Sequence, residues 1–411
     1  MQGCLKQLSN GWCLALVSVA TGGGAEPVTG VWDTPALFAR EPLVVPADHY
    51  PVAGLESLFY SALEWKGGPT RVYAYLGVPS GSPPAAGWPA VVLAHGGGGT
   101  AFSEWVQRWN DRGFAAIAMD LEGRLPDRTV PFDQRPRFEG SGPERVGVWG
   151  DADLPPEEQW FYHAVAQVVL ANNVLRKRPD IDTSSIGLMG VSWGGIIASV
   201  VAGVDSRFRF AIPVYGCGFL HGADGPIGNA LSRHSPQRLE HILEWWEPSN
   251  FLPQASMPVL FINGTNDSHF PLDVWQRSAD AVPGGAWQSA RRGFSHGHIP
   301  PQLLDEPYFF ATAIVDGENL PRIRTPSAKG DDVIAEVTHK GRHDLATASV
   351  RFAYTVDSGS FLTRQWQTAE ARFHDNRLRA ALPPDASAGF FEIDLHGGVR
   401  LTSPLAEGSL P

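Results

Sequence analysis

Ile186-Gly187-Leu188-Met189-Gly190-Val191-Ser192-Trp193-Gly194-Gly195 is an apolar run that breaks into Gly-x-Ser-x-Gly and passes directly into the apolar stretch Ile196 to Ala202. The first half has the composition of a strand buried on both faces, and the second suits a buried helix. A strand that turns at once into a helix forces the serine between them into a strained conformation. Glycine at 190 and 194 lets neighbouring backbone approach closely. The strain lifts the Ser192 hydroxyl clear of the sheet and turns the Trp193 amide toward the same space. A pattern this short recurs by chance, so the rest of the chain has to supply a base, an acid and an oxyanion site in matching order.

Outward from this elbow, strand and helix alternate. Upstream, Pro89 to His95 reads as a buried strand ending in Gly96-Gly97-Gly98-Gly99. Helical spacing follows over Phe102 to Arg112, then a strand at Phe114 to Asp120 and a long helix within Glu157 to Arg178. Downstream come strands at Arg209 to Tyr215, Pro258 to Asn263 and Trp287 to Arg291, with helices at Leu272 to Ala281 and up to Ile314. Two stretches rich in turn residues, 121–155 and 217–255, read as excursions. Such alternation predicts an α/β fold, a doubly wound, mostly parallel sheet covered on both faces. A hairpin of Ser57 to Leu63 and Arg71 to Val78 precedes it, after a Pro- and Gly-rich arm over 26–55. Beyond Asn319-Leu320-Pro321, short β-type runs around Val333, Val350, Ala371 and Phe391 predict a small C-terminal antiparallel β-sandwich. The expected organisation is a catalytic domain with its arm over 26–320 and an accessory sandwich over 321–411.

With 411 residues, 43% hydrophobic and 18% charged, the chain is globular and too long for one compact core. Its net charge of −11 argues against nucleic acid, which demands clustered Lys and Arg. Lys6, the apolar run Trp12 to Ala20 and the small residues up to Ala25 resemble a signal peptide over 1–25, cleaved after Ala20 or Ala25. An exported protein, periplasmic or secreted, is therefore expected. The run is too short to span a bilayer and no other segment does so. Cys4, Cys13 and Cys217 make no disulfide framework, and loss of the leader leaves Cys217 alone.

The Ser192 hydroxyl needs a general base, and the base an orienting acid. Asp267, directly after the strand 258–263, stands where sites assemble at the C-terminal ends of parallel strands. Phe294-Ser295-His296-Gly297-His298 offers two imidazoles after the last short strand: His296 is the first candidate base and His298 the alternative. For the oxyanion, the amides of Trp193 and of Gly97 are first choices, with Gly98 as a second option. His95, Gly98, Tyr215, Trp245, Trp246 and His269 are candidates for the substrate pocket; Asp120 and Cys217 end strands near the same edge. His163, in an apolar helix, reads as a core residue. The glycine turn lacks the Gly-Lys-Ser/Thr of a phosphate loop, and no zinc-ligand spacing occurs, so neither cofactor nor metal is expected.

In these motifs and their order, residues 41–318 resemble the α/β-hydrolase superfamily. The branch is the one holding dienelactone-hydrolase-like, prolyl-oligopeptidase-like and acetyl xylan esterase-like proteins. The resemblance rests on His95-Gly96-Gly97-Gly98, Gly190 to Gly195, Gly264-Thr265-Asn266-Asp267 and Ser295 to His298. It implies Ser192 as nucleophile, Asp267 as acid, His296 as base, and Gly97 and Trp193 amides as the oxyanion hole. Leader and sandwich together look like an exported enzyme acting on a decorated polysaccharide. The function expected is a serine carboxylic-ester hydrolase removing acetyl or similar groups from a carbohydrate or small-molecule ester. A serine peptidase of the same superfamily, or a non-catalytic carbohydrate-binding protein on a hydrolase scaffold, are the rival readings. Oligomeric state has no signature here.

Overall fold

A computed structural model describes residues 30–339, 345, 348–408 and 410; the expected leader, Cys4 and Cys13 lie outside the described residues. The arm that read as a meander carries a helix, α1 (Thr34–Ala39), started by Asp33, whose side chain accepts the Ala36 N–H. It is fastened to the body: Trp32 donates its indole N–H to Tyr162 O at 3.0 Å, and Asn173 Nδ2 donates to the carbonyls of Leu37 and Arg40.

β1 (Val44–Pro46), β2 (Glu56–Ser61) and β3 (Arg71–Gly77) run antiparallel to one another. The parallel sheet then begins with β4 (Trp88–Ala94), followed by α2 (Ser103–Asn110), β5 (Ala115–Met119), α3 (Trp160–Arg176), β6 (Ile181–Val191), α4 (Trp193–Val204) and β7 (Ala211–Val214). The stretch read as a second excursion holds two helices, α5 (Pro226–Leu231) and α6 (Pro236–Trp245). Each has proline in its first turn, where no intrahelical N–H is missed, and Ser235 caps the second. β8 (Leu260–Gly264), α7 (Leu272–Asp280), β9 (Trp287–Arg291) and α8 (Glu306–Val315) complete this part.

Order across the sheet is β1-β2-β3-β5-β4-β6-β7-β8-β9, with β5 through β9 parallel. Apolar runs explain it: β5 and β7 are buried along their whole length, and β4 over its last five residues, as parallel strands under helices must be. Register brings the strand ends level, with Ala94 beside Gly190, Val191 beside Val214, Val214 beside Ile262 and Gly264 beside Arg291. The loops after β4, β6, β7, β8 and β9 therefore emerge side by side. Among the described residues no helix is long and apolar enough to cross a membrane.

The C-terminal strands are β10 (Arg322–Ile323), β11 (Ser327–Lys329), β12 (Asp332–Thr338), β13 (Ser349–Thr355), β14 (Gln367–His374), β15 (Arg377–Ala381), β16 (Ala388–Asp394), β17 (Arg400–Thr402) and β18 (Ala406–Glu407). All their pairings are antiparallel. β14 joins two sheets, its first half on β13 and its second on β15. This unit does not stand off from the α/β part: β17 pairs with β9 through Thr402 and Gln288, extending the central sheet. Buried Glu306 accepts from Arg291 and from the Arg400 N–H, and buried Glu392 accepts from Arg292 and Arg400, so the seam is ionic as well.

Candidate active site

Ser192 sits between β6 and α4 with φ 58° and ψ −116°, a left-handed backbone that side chains other than glycine rarely adopt. Its surroundings enforce that shape. A Cβ on Gly190 would lie 1.9 Å from Gly194 O, and one on Gly194 would lie 2.2 Å from Ala94 O. The Ser192 N–H donates to Val214 O at 2.9 Å while its carbonyl accepts the Ile196 N–H at 3.0 Å. Trp193 buries its ring edge-on against Trp149 and Trp160, at 4.8 and 5.6 Å. Its backbone N–H opens α4 and has no acceptor among the described residues.

His296 Nε2 lies 2.9 Å from Ser192 Oγ, and its Nδ1 lies 2.7 Å from Asp267 Oδ2. The Asp267 carboxylate is fully buried, and its other oxygen accepts the N–H groups of His269 and Phe270 at 2.9 and 2.8 Å. Those two amides orient the carboxylate, so it takes the Nδ1–H of the imidazole and leaves Nε2 free to accept from Ser192. The ring is held on its faces by Tyr215 at 4.5 Å and His269 at 4.3 Å between centroids. Tyr215 also donates its hydroxyl to Ser295 O at 2.7 Å, tying the strand beside the elbow to the histidine loop.

His298 turns the other way. Its Nε2 accepts the Gly96 N–H at 3.1 Å, and its ring packs on Phe102 at 5.2 Å. Burial, then the like charge of His95, pull its pKa down to about 4, so the imidazole stays neutral and keeps the lone pair that Gly96 requires. His95 is fully buried; it accepts the Leu121 N–H at Nε2 and donates from Nδ1 to Gly96 O. Two histidines therefore brace the glycine turn. Gly98, at φ 70°, gives its N–H to Glu122 Oε1 at 3.1 Å. Gly97 alone of these three keeps a free N–H among the described residues, and a Cβ added to it would lie 2.9 Å from the Trp193 ring.

The remaining candidates separate. His269 and Tyr215 flank His296. Trp246 does not reach the site: it is fully buried, its indole donates to Gln159 Oε1, and it packs on Trp32 and Phe161. Trp245 stacks on His241 at 4.5 Å. Burial of the large indole decides the placement of Trp246, whereas Trp245 stays partly exposed. Cys217 is wholly buried, and burial raises its thiol well above the ordinary range, so it is not a reactive group. Asp120 accepts the N–H groups of Glu122 and Arg124, and burial raises its pKa to about 7. Asp267, His269 and His296 bring donor atoms within 4.8 Å of one another, as a metal site would. Here the Asp267 oxygens already accept three hydrogen bonds.

Glu122 and Arg145 escaped the sequence reading. The Glu122 carboxylate is buried and also accepts Arg145 Nε at 2.8 Å, and the Arg145 guanidinium lies over Trp193 at 5.6 Å. Both lie in a stretch crowded with Asp, Glu and Arg, where no spacing marks one charge from another.

The model of the dienelactone hydrolase family matches residues 72–284, just over half of the chain, including Ser192 and Asp267 and ending before His296. Among solved structures, an acetyl xylan esterase from Paenibacillus sp. R4 aligns with TM-score 0.53 and 21% identity, over 68% of this chain and 92% of that one. Acetyl xylan esterase 1 from Thermoanaerobacterium sp. JW/SL YS485 aligns with TM-score 0.51 and 15% identity, over 66% and 92%. At such identities the likeness concerns the fold. No curated protein sequence matches the chain.

Proposed function

The chain belongs to the dienelactone hydrolase family and is a serine ester hydrolase, and on that premise we propose that it deacetylates or deacylates carbohydrate esters through Ser192, His296 and Asp267. The observation that carries this reading is the unbroken hydrogen-bonded chain from Ser192 Oγ through His296 to Asp267.

Ser192 Oγ attacks the ester carbonyl carbon as its proton passes to His296 Nε2. Asp267 stabilises the imidazolium that forms and keeps the ring turned. Negative charge growing on the carbonyl oxygen meets the N–H groups of Gly97 and Trp193, which have no competing acceptor to release first. The imidazolium then gives its proton to the departing sugar oxygen, leaving acyl-Ser192 and the free alcohol. Water, deprotonated by the same Nε2, attacks the acyl carbon, and collapse returns the carboxylic acid and Ser192. No cofactor enters either half.

Carbohydrate as the alcohol is supported by the two acetyl xylan esterases that share the fold. An exported enzyme, as a leader over 1–25 would make it, meets such polymers outside the cell. The test is a panel of acetylated xylo-oligosaccharides, aryl acetates and aminoacyl amides against wild type and Ser192→Ala. Acetate release that vanishes in the variant is the expected result. Amide cleavage without ester turnover, or ester turnover that survives Ser192→Ala, would overturn the proposal.

A further inference from the structure

The two oxyanion donors come from segments far apart in sequence, Gly97 in the turn after β4 and Trp193 at the first residue of α4. Such donors work only when they are held at a fixed separation around the place where charge develops. His95 and His298 brace Gly96 within the turn itself. The tie from that turn to α4 runs through Glu122 and Arg145.

One oxygen of the buried Glu122 carboxylate, Oε1, accepts the Gly98 N–H at 3.1 Å and Arg145 Nε at 2.8 Å. Arg145 also gives Nη1 to Gly147 O at 2.9 Å, so its guanidinium is fixed along two edges. The guanidinium carbon lies over the rings of Trp193 and Trp160, 5.6 and 5.9 Å from their centroids. Gly97 closes the circuit: a Cβ there would lie 2.9 Å from Trp193 Cδ1 and 3.0 Å from Arg145 Nη2. The backbone of one donor, the indole of the other and the guanidinium therefore pack together, and a side chain at 97 would wedge them apart. Glu122 and Arg145 are each other's only ion-pair partner among the described residues.

A buried ion pair adds little stability over apolar groups of the same size, because taking both charges out of water offsets their attraction. What it supplies is direction, with donors and acceptors held at set angles. Resting on the reading of Ser192 as nucleophile, we propose that the Glu122–Arg145 pair positions the oxyanion hole, fixing the Gly97 turn against Trp193. Neither residue bonds to Ser192, His296 or Asp267, so the pair acts on the donors and leaves the base alone.

A fluorophosphonate tests this on the full chain. Ser192 Oγ displaces fluoride from phosphorus as its proton passes to His296, and the phosphoryl oxygen takes the oxyanion position whatever ester the protein cleaves. Labelling of Ser192 is followed by mass spectrometry against probe concentration and pH. Glu122→Gln keeps an acceptor for Gly98 and removes the carboxylate charge, and Arg145→Gln removes the cation. Each is expected to lower the maximal labelling rate about tenfold or more, with the half-saturating concentration and the pH midpoint unchanged. The double variant leaves no charge unpaired, so it keeps the test whatever the single changes do to folding. Its loss is expected to be no greater than that of either single change, because the two residues act as one unit.

An unchanged rate in the double variant, losses that multiply in it, or a shifted pH midpoint would overturn the proposal. Absence of label on wild-type Ser192 would overturn it together with the nucleophile reading. Labelling without turnover of carbohydrate esters would fail the substrate reading alone.

Discussion

His298 Nε2 accepts the Gly96 N–H at 3.1 Å, so the second histidine of the Ser295 to His298 loop serves the glycine turn while the first faces Ser192. Two imidazoles separated by a single glycine thus do different work. His296→Ala is expected to lower kcat/KM on an aryl acetate by about 10⁴-fold or more, as removal of a triad base does. His298→Ala loosens one support of the oxyanion turn, and a loss of about tenfold is expected. Steady-state kinetics of both variants decide between them; a larger loss for His298→Ala would make it the base.

Burial of the same imidazole, with His95 beside it, sets a pH dependence of stability. In the folded chain His298 refuses its proton until about pH 4, whereas the unfolded chain takes it near the ordinary histidine value. Its contribution to stability is therefore complete above that ordinary value and is lost as pH falls from there toward 4. The slope from one such group is at most about 1.4 kcal/mol per pH unit. His298→Asn keeps an acceptor for Gly96 and removes the titration. Urea denaturation at pH 7 and pH 5 should show a smaller drop for the variant than for wild type. An equal drop would take His298 out of the pH response.

Tyr215 reaches the triad through its hydroxyl on Ser295 O and its ring on His296. Tyr215→Phe retains the ring contact and loses the hydrogen bond, leaving the loop free to shift by a few tenths of an ångström. A kcat reduced about tenfold with KM little changed is expected, since the bond positions the base and does not hold substrate. A raised KM with unchanged kcat would assign Tyr215 to substrate binding instead.

Asn266, beside the acid, donates to Arg364 O at 2.8 Å and more weakly to the carbonyls of Phe361 and Leu362. The loop between β13 and β14 thereby touches the loop that carries Asp267. Asn266→Ala is expected to cost about 1–2 kcal/mol in chemical denaturation and to lower kcat several-fold. Full activity at unchanged stability would show that the C-terminal part leaves the acid loop alone.

Much of the fold was legible because burial on both faces leaves a strong mark. The apolar runs ending at Ala94, Met119 and Val191 could only be strands beneath helices, and their alternation with helical spacing predicted the parallel sheet. The excursion at 217–255 was less readable, because α5 and α6 are short and start at prolines that also mark turns. The bond between β9 and β17 could not be read at all. Edge pairing is made by backbone groups, which carry no residue type.

Around Ser192 the division is similar. Local pattern marked the elbow in the sequence, Gly-x-Ser-x-Gly between an apolar strand and an apolar helix, while the tertiary structure supplies the reason for its glycines: a Cβ at 190 or 194 would come within 2.5 Å of Gly194 O or Ala94 O. Chain order likewise singled out Asp267 and the loop holding His296 and His298. Only the tertiary structure decided which imidazole faces Ser192, that Trp246 is core, and that Glu122 grips Gly98. Each of those depends on the direction of a side chain across elements distant in sequence. Composition and spacing record which groups are present; the register of packed strands determines where they point.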